Sequence, residues 1–144
     1  MTYLLDVNLL VALAWPVHVH HDPAHTWFAQ NHRLGWATCS VTEAGFVRVS
    51  SNRRATPDAR PPAEAATVLA AMCNLPGHMF LDDAVRLSQH AEDLRGTVHG
   101  SAQVTDVHLI LLAGSSNLTF VTFDRAAAGL AERLRVSAAL LSHR

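Results

Sequence analysis

A repeated local pattern constrains this chain more than any other feature. A short, unbroken apolar run ends on an acidic or hydroxyl residue and passes directly into a helical stretch. Residues 2–5 read Thr-Tyr-Leu-Leu and stop at Asp6; residues 118–123 read Leu-Thr-Phe-Val-Thr-Phe and stop at Asp124. Runs this short and this apolar are strands buried on both faces, which requires helices on both sides of a largely parallel sheet. The same reading predicts further strands at residues 34–38, 79–81 and 135–138. Helices are predicted at 8–14, 22–31, 40–49, 63–73, 83–94, 101–113 and 125–131. Pro16 ends the first helix, and Asp22-Pro23 opens the second as cap and first helical residue. Phe46 and Val47 point inward from the third, and Val68, Leu69 and Met72 share one face of the fourth. Alternating strands and helices give an α/β fold with a mainly parallel sheet of about five strands. No repeat or linker divides residues 1–144, which are expected to form a single domain; residues 50–62, with Asn52, Arg53, Arg54, Pro57 and Arg60, are its flexible segment.

Composition narrows the chemistry. All 11 basic residues are arginines, so every mechanism that needs a lysine is excluded: P-loop phosphate binding, Schiff bases and Ser-Lys dyads. An apolar share of 49% excludes disorder, and a net charge of -1 excludes a histone-like polycation. Cys39 and Cys73 form no CxxC pair, which excludes a disulfide scaffold and a four-cysteine zinc site; both read as buried thiols of a reducing compartment. No stretch reaches the roughly 18 apolar residues of a membrane helix. The apolar start lacks a basic residue before Arg33 and is broken by Asp6 and Asn8, unlike a signal peptide. The expectation is a soluble, cytoplasmic protein.

In open α/β sheets ligands gather beyond the carboxyl ends of the strands. Asp6 and Asp124 directly follow strands there, and Glu43 lies one turn into the helix after the second strand. Each also has a structural reading. Asp6 and Asp124 suit helix N-caps, and Ser40-Val41-Thr42-Glu43 has the form of a capping box with Ser40 as cap. Asp106 falls in the middle of the helix predicted at 101–113. With Ala102, Leu109 and Ile110 around it, a lone carboxylate there is costly to bury without a partner or a metal. Four carboxylates at one sheet edge repel one another unless a divalent cation joins them. Oxygen-only donors suit Mg²⁺ or Mn²⁺, not structural zinc. Such a site polarises a phosphodiester and activates water near neutral pH.

These residues stand in an arrangement that resembles the PIN-domain nucleases, and among them the VapC-type toxins of bacterial toxin–antitoxin pairs. The resemblance spans nearly the whole chain. It runs through Leu4-Leu5-Asp6-Val7-Asn8, then Ser40-Val41-Thr42-Glu43 with Gly45-Phe46-Val47-Arg48. It continues through Val104-Thr105-Asp106-Val107-His108-Leu109 to Thr122-Phe123-Asp124-Arg125. It implies a three-layer α/β/α sandwich and a Mg²⁺-dependent endoribonuclease. Asp6, Glu43, Asp106 and Asp124 fall at the family's acidic cluster, with Asn8 and Thr122 orienting carboxylates or water from behind. It also implies a homodimer held in check by a cognate antitoxin. Trp15, Trp27 and Val68, read as exposed apolar residues, supply surface for such assembly.

Arg48, Arg53 and Arg54, with Arg60, are candidates to hold RNA phosphates through the planar guanidinium fork; a solvated loop or an antitoxin contact is the plainer reading. Ten histidines raise a zinc site at His18, His20, His21 and His25, yet no acidic or cysteine partner completes a tetrahedral set nearby. His99 and His108 lie closer to the acids and suit substrate contact, packing or capping. Asp6-Val7-Asn8 lacks the second aspartate of a haloacid-dehalogenase phosphatase, and a receiver domain needs a lysine. Two alternatives stay open: a catalytically silent RNA- or protein-binding module of the same fold, and a nuclease of structured DNA.

Overall fold

The computed structural model describes residues 1–142. Five strands, β1 (Tyr3–Leu5), β2 (Trp36–Cys39), β3 (His78–Leu81), β4 (Thr119–Thr122) and β5 (Ala138–Leu140), form one sheet in the order β3-β2-β1-β4-β5. Every pairing is parallel, with Tyr3 opposite Trp36 on one side and Thr119 on the other. The helices are α1 (Val7–Ala14), α2 (His21–Asn31), α3 (Ser40–Ser50), α4 (Pro62–Cys73), α5 (Ala91–Leu94), α6 (Val104–Ser115) and α7 (Arg125–Arg133).

Side-chain alternation along the strands separates two cores. Tyr3 and Leu5 enter the first, with Leu9, Leu10, Phe28, Trp36, Phe46 and Leu69 from α1 to α4 and β2. Leu4 faces the other way, onto Val107, Ile110, Leu112, Phe120 and Leu130 from α6, α7 and β4. Each fully buried aliphatic side chain contributes about 1.5–3 kcal/mol. A strand of only three residues is therefore held from both faces. The result is the three-layer α/β/α sandwich, with an all-parallel sheet.

The strand order also fixes where function can sit. From β1 the chain moves outward through β2 to β3, then returns to the far side of β1 for β4 and β5. The order reverses between β1 and β4, and crevices open beyond the carboxyl ends of strands at such a point. Asp6 follows β1 and Asp124 follows β4.

Several local expectations are corrected. The helix expected at 83–94 is reduced to a 3-10 turn at Leu87–Gln89 and the single turn of α5. Asp83 explains this: its Oδ1 accepts from the Val85 amide at 3.0 Å, so its side chain competes with helical pairing. The helix expected at 101–113 begins as a 3-10 turn, Ser101–Gln103, and becomes α-helical only at Val104. Asp106 thus lies in the first turn of α6 rather than mid-helix, where the helix dipole favours an acid. His20, not Asp22, precedes α2 as its cap, and β5 starts three residues later than expected. Trp15 is not surface for assembly. It is buried, its indole Nε1 donates to Ser50 Oγ at 2.9 Å, and its ring stacks on Phe46. Cys39 is buried as expected, whereas Cys73 is only half-buried.

One glycine sets the approach of α3 to α1. A Cβ on Gly45 would lie 2.6 Å from Val7 Cγ2, so only glycine lets the helix carrying Glu43 pack against the residue after Asp6. Gly45→Ala gains about 1 kcal/mol of helix propensity but overpacks this contact by about 1–3 kcal/mol. Chemical denaturation is expected to show a net loss on the order of 1 kcal/mol, and a larger one for Gly45→Val.

Candidate active site

Asp6 is fixed at both oxygens. Its Oδ1 accepts from the Val7 amide at 2.7 Å, capping α1, and its Oδ2 accepts from Thr122 Oγ1 at 2.7 Å. The Thr122 hydroxyl also accepts from Asn8 Nδ2 at 3.2 Å and from the Asp124 amide at 3.0 Å. Asn8 Oδ1 in turn accepts from the Phe123 amide at 3.3 Å. These bonds tie the end of β1 to the end of β4. Asp124 Oδ1 caps α7 by accepting from the Ala126 and Ala127 amides at 2.9 and 3.4 Å. Both capping roles are therefore real, and each carboxylate has a second oxygen that no cap bond uses.

Asp6, Asp106 and Asp124 act on one another electrostatically. Burial raises the Asp6 carboxyl above its ordinary range; the bonds from Thr122 and the Val7 amide oppose this, and the Asp124 charge adds to it. Asp106 is pushed up to about 6, first by burial and then by the charges of Asp6 and Asp124. The arginine ion pairs lie elsewhere, Arg60 with Asp58 and Glu64 and Arg95 with Glu92. Two carboxylates with raised proton affinity beside the charge of a third form a site that a compact divalent cation relieves. Their oxygens are the donors Mg²⁺ and Mn²⁺ take.

Glu43 is placed differently. It does not complete the expected capping box: Cys39 caps α3, and Thr42 Oγ1 accepts from the Cys39 amide at 2.9 Å. The Glu43 carboxylate is free of that duty, and its Oε2 accepts from Thr38 Oγ1 at 2.7 Å. Thr38 Oγ1 also meets His78 Nε2 at 2.8 Å. Glu43, Cys73 and His78 present donor atoms within 4.8 Å of one another. They line a cavity of about 410 Å³ with Val47, Leu69 and Ala70.

The arginine candidates divide. Arg48 is exposed in the last turn of α3, and Arg53 and Arg54 are exposed on the turns that follow. Arg60 is committed to its ion pairs and lies over the Trp15 ring. The histidines fall into structural contacts. His21 Nδ1 meets the Ala12 carbonyl at 2.8 Å, and His18 Nδ1 accepts from the His20 amide at 3.0 Å. Burial, with His20 and His21 nearby, holds His18 below its ordinary range. His20 stacks on Phe123, and His25 sits beside His21. His108 Nε2 pairs with Asp83, joining α6 to the segment after β3, and His99 donates its amide to Gln103. Thr38, Cys73, His78 and Asp83 escaped the sequence reading. The one available signal was Cys73 and His78 flanking a tight helix-to-strand connection.

A carboxyl whose folded value is raised holds its proton more tightly in the folded state, so wild type loses stability as pH rises from 3.8 through about 6. Asp106→Asn removes that penalty. With divalent ions chelated, thermal melts are expected to show it more stable than wild type at neutral pH by on the order of 1 kcal/mol after solvent screening. The difference should vanish toward pH 4, near and below the unfolded value.

The profile of the PIN domain matches residues 3–133. The chain is 49% identical over 139 residues to Ribonuclease VapC39 of Mycobacterium tuberculosis, covering 93% of this chain and 100% of that protein. It is 48% identical over 130 residues to Ribonuclease VapC38 of the same organism, covering 90% of each. Its fold is similar to the crystal structure of VapBC2 from Rickettsia felis bound to a DNA fragment from their promoter. That match has a TM-score of 0.68 at 16% identity, over 99% of this chain and 100% of that one.

Proposed function

The chain belongs to the PIN-domain family, in its VapC branch, and from that premise we propose that it is a Mg²⁺-dependent endoribonuclease, the toxin of a toxin–antitoxin pair. The observation that carries the reading is the mutual field of Asp6, Asp106 and Asp124 at the switch between β1 and β4. Three repelling acids beyond a sheet switch point make chemical sense where a cation is bound, and Mn²⁺ suits the same donors. Asp6 and Asp106 would hold the ion most directly, Asp124 would lend its uncapped oxygen, and Glu43 would serve as a further ligand or position water. Bound there, the ion neutralises charge on the scissile phosphate and makes water a usable nucleophile near neutral pH.

The remaining residues serve that chemistry. Thr122 and Asn8 fix the Asp6 carboxylate, so its free electron pairs keep one direction. Arg48, Arg53 and Arg54 supply the positive charge that a lysine-free chain must find elsewhere, holding RNA phosphates beside the acids. Partners follow from the same reading: a cognate antitoxin that silences the site, and a second copy of the chain in a homodimer. The setting is the cytoplasm, where the RNA is. Among the described residues no helix is long and apolar enough to cross a membrane.

Asp106→Asn decides between this reading and a binding module without activity. Cleavage of an RNA pool with Mg²⁺ is expected to fall by at least about 100-fold, roughly 2.7 kcal/mol of transition-state stabilisation. The variant should stay folded, and added Mg²⁺ should raise the melting temperature of wild type but not of the variant. Undiminished RNA cleavage by the variant refutes the proposal, and preference for structured DNA replaces the substrate.

Arg53→Ala with Arg54→Ala tests the phosphate contacts. KM for RNA should rise and become less sensitive to salt while kcat holds, because lost phosphate contacts reduce the counterions released. An unchanged KM assigns these two arginines to the solvated loop.

A further inference from the structure

We propose that Glu43, Cys73 and His78 form a second metal site, selective for a thiolate-seeking transition ion such as Zn²⁺, whose occupancy withdraws Glu43 from the aspartates. The three donors come from separate elements: Glu43 from the first turn of α3, Cys73 from the last residue of α4, and His78 from the first residue of β3. Their ligand atoms lie within 4.8 Å of one another before any ion draws them in. A tetrahedral zinc holds sulfur at ~2.3 Å and nitrogen or oxygen at ~2.0–2.2 Å, so the side chains need close by only about 1 Å.

The surroundings suit a built site rather than a chance meeting. The Thr38 hydroxyl stands between Glu43 Oε2 and His78 Nε2 and orients both. Trp36 packs on the His78 ring at 4.7 Å between centroids, limiting its rotation. The mouth is a cavity of about 410 Å³ walled by Ala44, Val47, Ala66 and Leu69, which leaves a fourth coordination position open to water. A thiolate, an imidazole and one carboxylate select Zn²⁺, or Co²⁺ as its spectroscopic substitute, and reject Mg²⁺, which takes oxygen donors. Binding is balanced by proton movement: the Cys73 thiol releases its proton to solvent, and His78, whose Nε2 donates to Thr38 Oγ1 before an ion enters, gives up that bond and takes the Nδ1-protonated tautomer so that Nε2 can ligate.

Only the sharing of Glu43 rests on the nuclease reading. Gly45, in the second turn of α3, sits against Val7, the residue after Asp6, so the helix that carries Glu43 packs beside the end of β1. An ion at Cys73 and His78 holds the Glu43 carboxylate on their side.

The test is titration of Co²⁺ into the full chain without a histidine tag, followed by absorption spectroscopy. A thiolate-to-cobalt band should grow to one equivalent and disappear when Zn²⁺ displaces the cobalt. Cys73→Ser should abolish the band, and His78→Gln should weaken binding by at least about tenfold. Asp106→Asn should leave it intact. A wild-type chain without the band, or a band that survives Cys73→Ser, overturns the site; loss of the band in Asp106→Asn overturns its separateness. The spectrum reads the site whether or not the chain cleaves RNA. One equivalent of Zn²⁺ should then slow Mg²⁺-dependent cleavage by wild type and not by Cys73→Ser. Equal slowing of both overturns the sharing of Glu43.

Discussion

The hydrogen bond from Thr122 to Asp6 joins everything that matters in this molecule. It crosses from the last residue of β4 to the residue that ends β1, at the one place where the strand order reverses. A buried carboxylate needs compensation, and here it receives a hydroxyl on one oxygen and a helix-terminal amide on the other. Those two bonds oppose burial but do not overcome it, so Asp6 stays raised. The site is thus built to hold a charge that the protein alone leaves under-compensated.

Structural and chemical roles are not rivals at these positions. A cap bond engages one oxygen of Asp6 and one of Asp124 and aims the carboxylate along the helix it begins. Capping is what makes the direction of the other oxygen dependable. The same economy appears in the Thr122 hydroxyl, which donates once and accepts twice. Its donor capacity is spent on Asp6, so Asn8 and the Asp124 amide must approach it as donors.

The sheet and its flanking helices were legible because burial on both faces leaves an unmistakable run, as in residues 2–5 and 118–123. Asp6 and Asp124 were legible for the same reason, since a strand that ends on an acid announces its position. Asp106 was found for a reason the structure replaces: not an apolar mid-helix setting but the first turn of α6, near two other acids. The segment after β3 was misjudged because Asp83 turns its side chain back on the local backbone and across to His108, and tertiary pairing then outweighs helical periodicity. Cys73 and His78 were invisible as a pair with Glu43. Their meeting depends on the parallel pairing of β2 with β3, a contact between residues far apart in the chain.

That pairing gives Glu43 its ambiguity. A capping-box glutamate would be bound to its own helix, but Thr42 has taken that bond, and the carboxylate is left to choose among neighbours. Its neighbours are the Thr38 hydroxyl of β2, the Cys73 thiol of α4 and the His78 imidazole of β3. Gly45 is what lets α3 lie against Val7, since any larger residue would crowd that side chain. The absence of lysine sharpens the point. With no lysine ammonium group available to settle on Glu43, its charge is answered by the Thr38 hydroxyl, which meets the His78 imidazole on its other side.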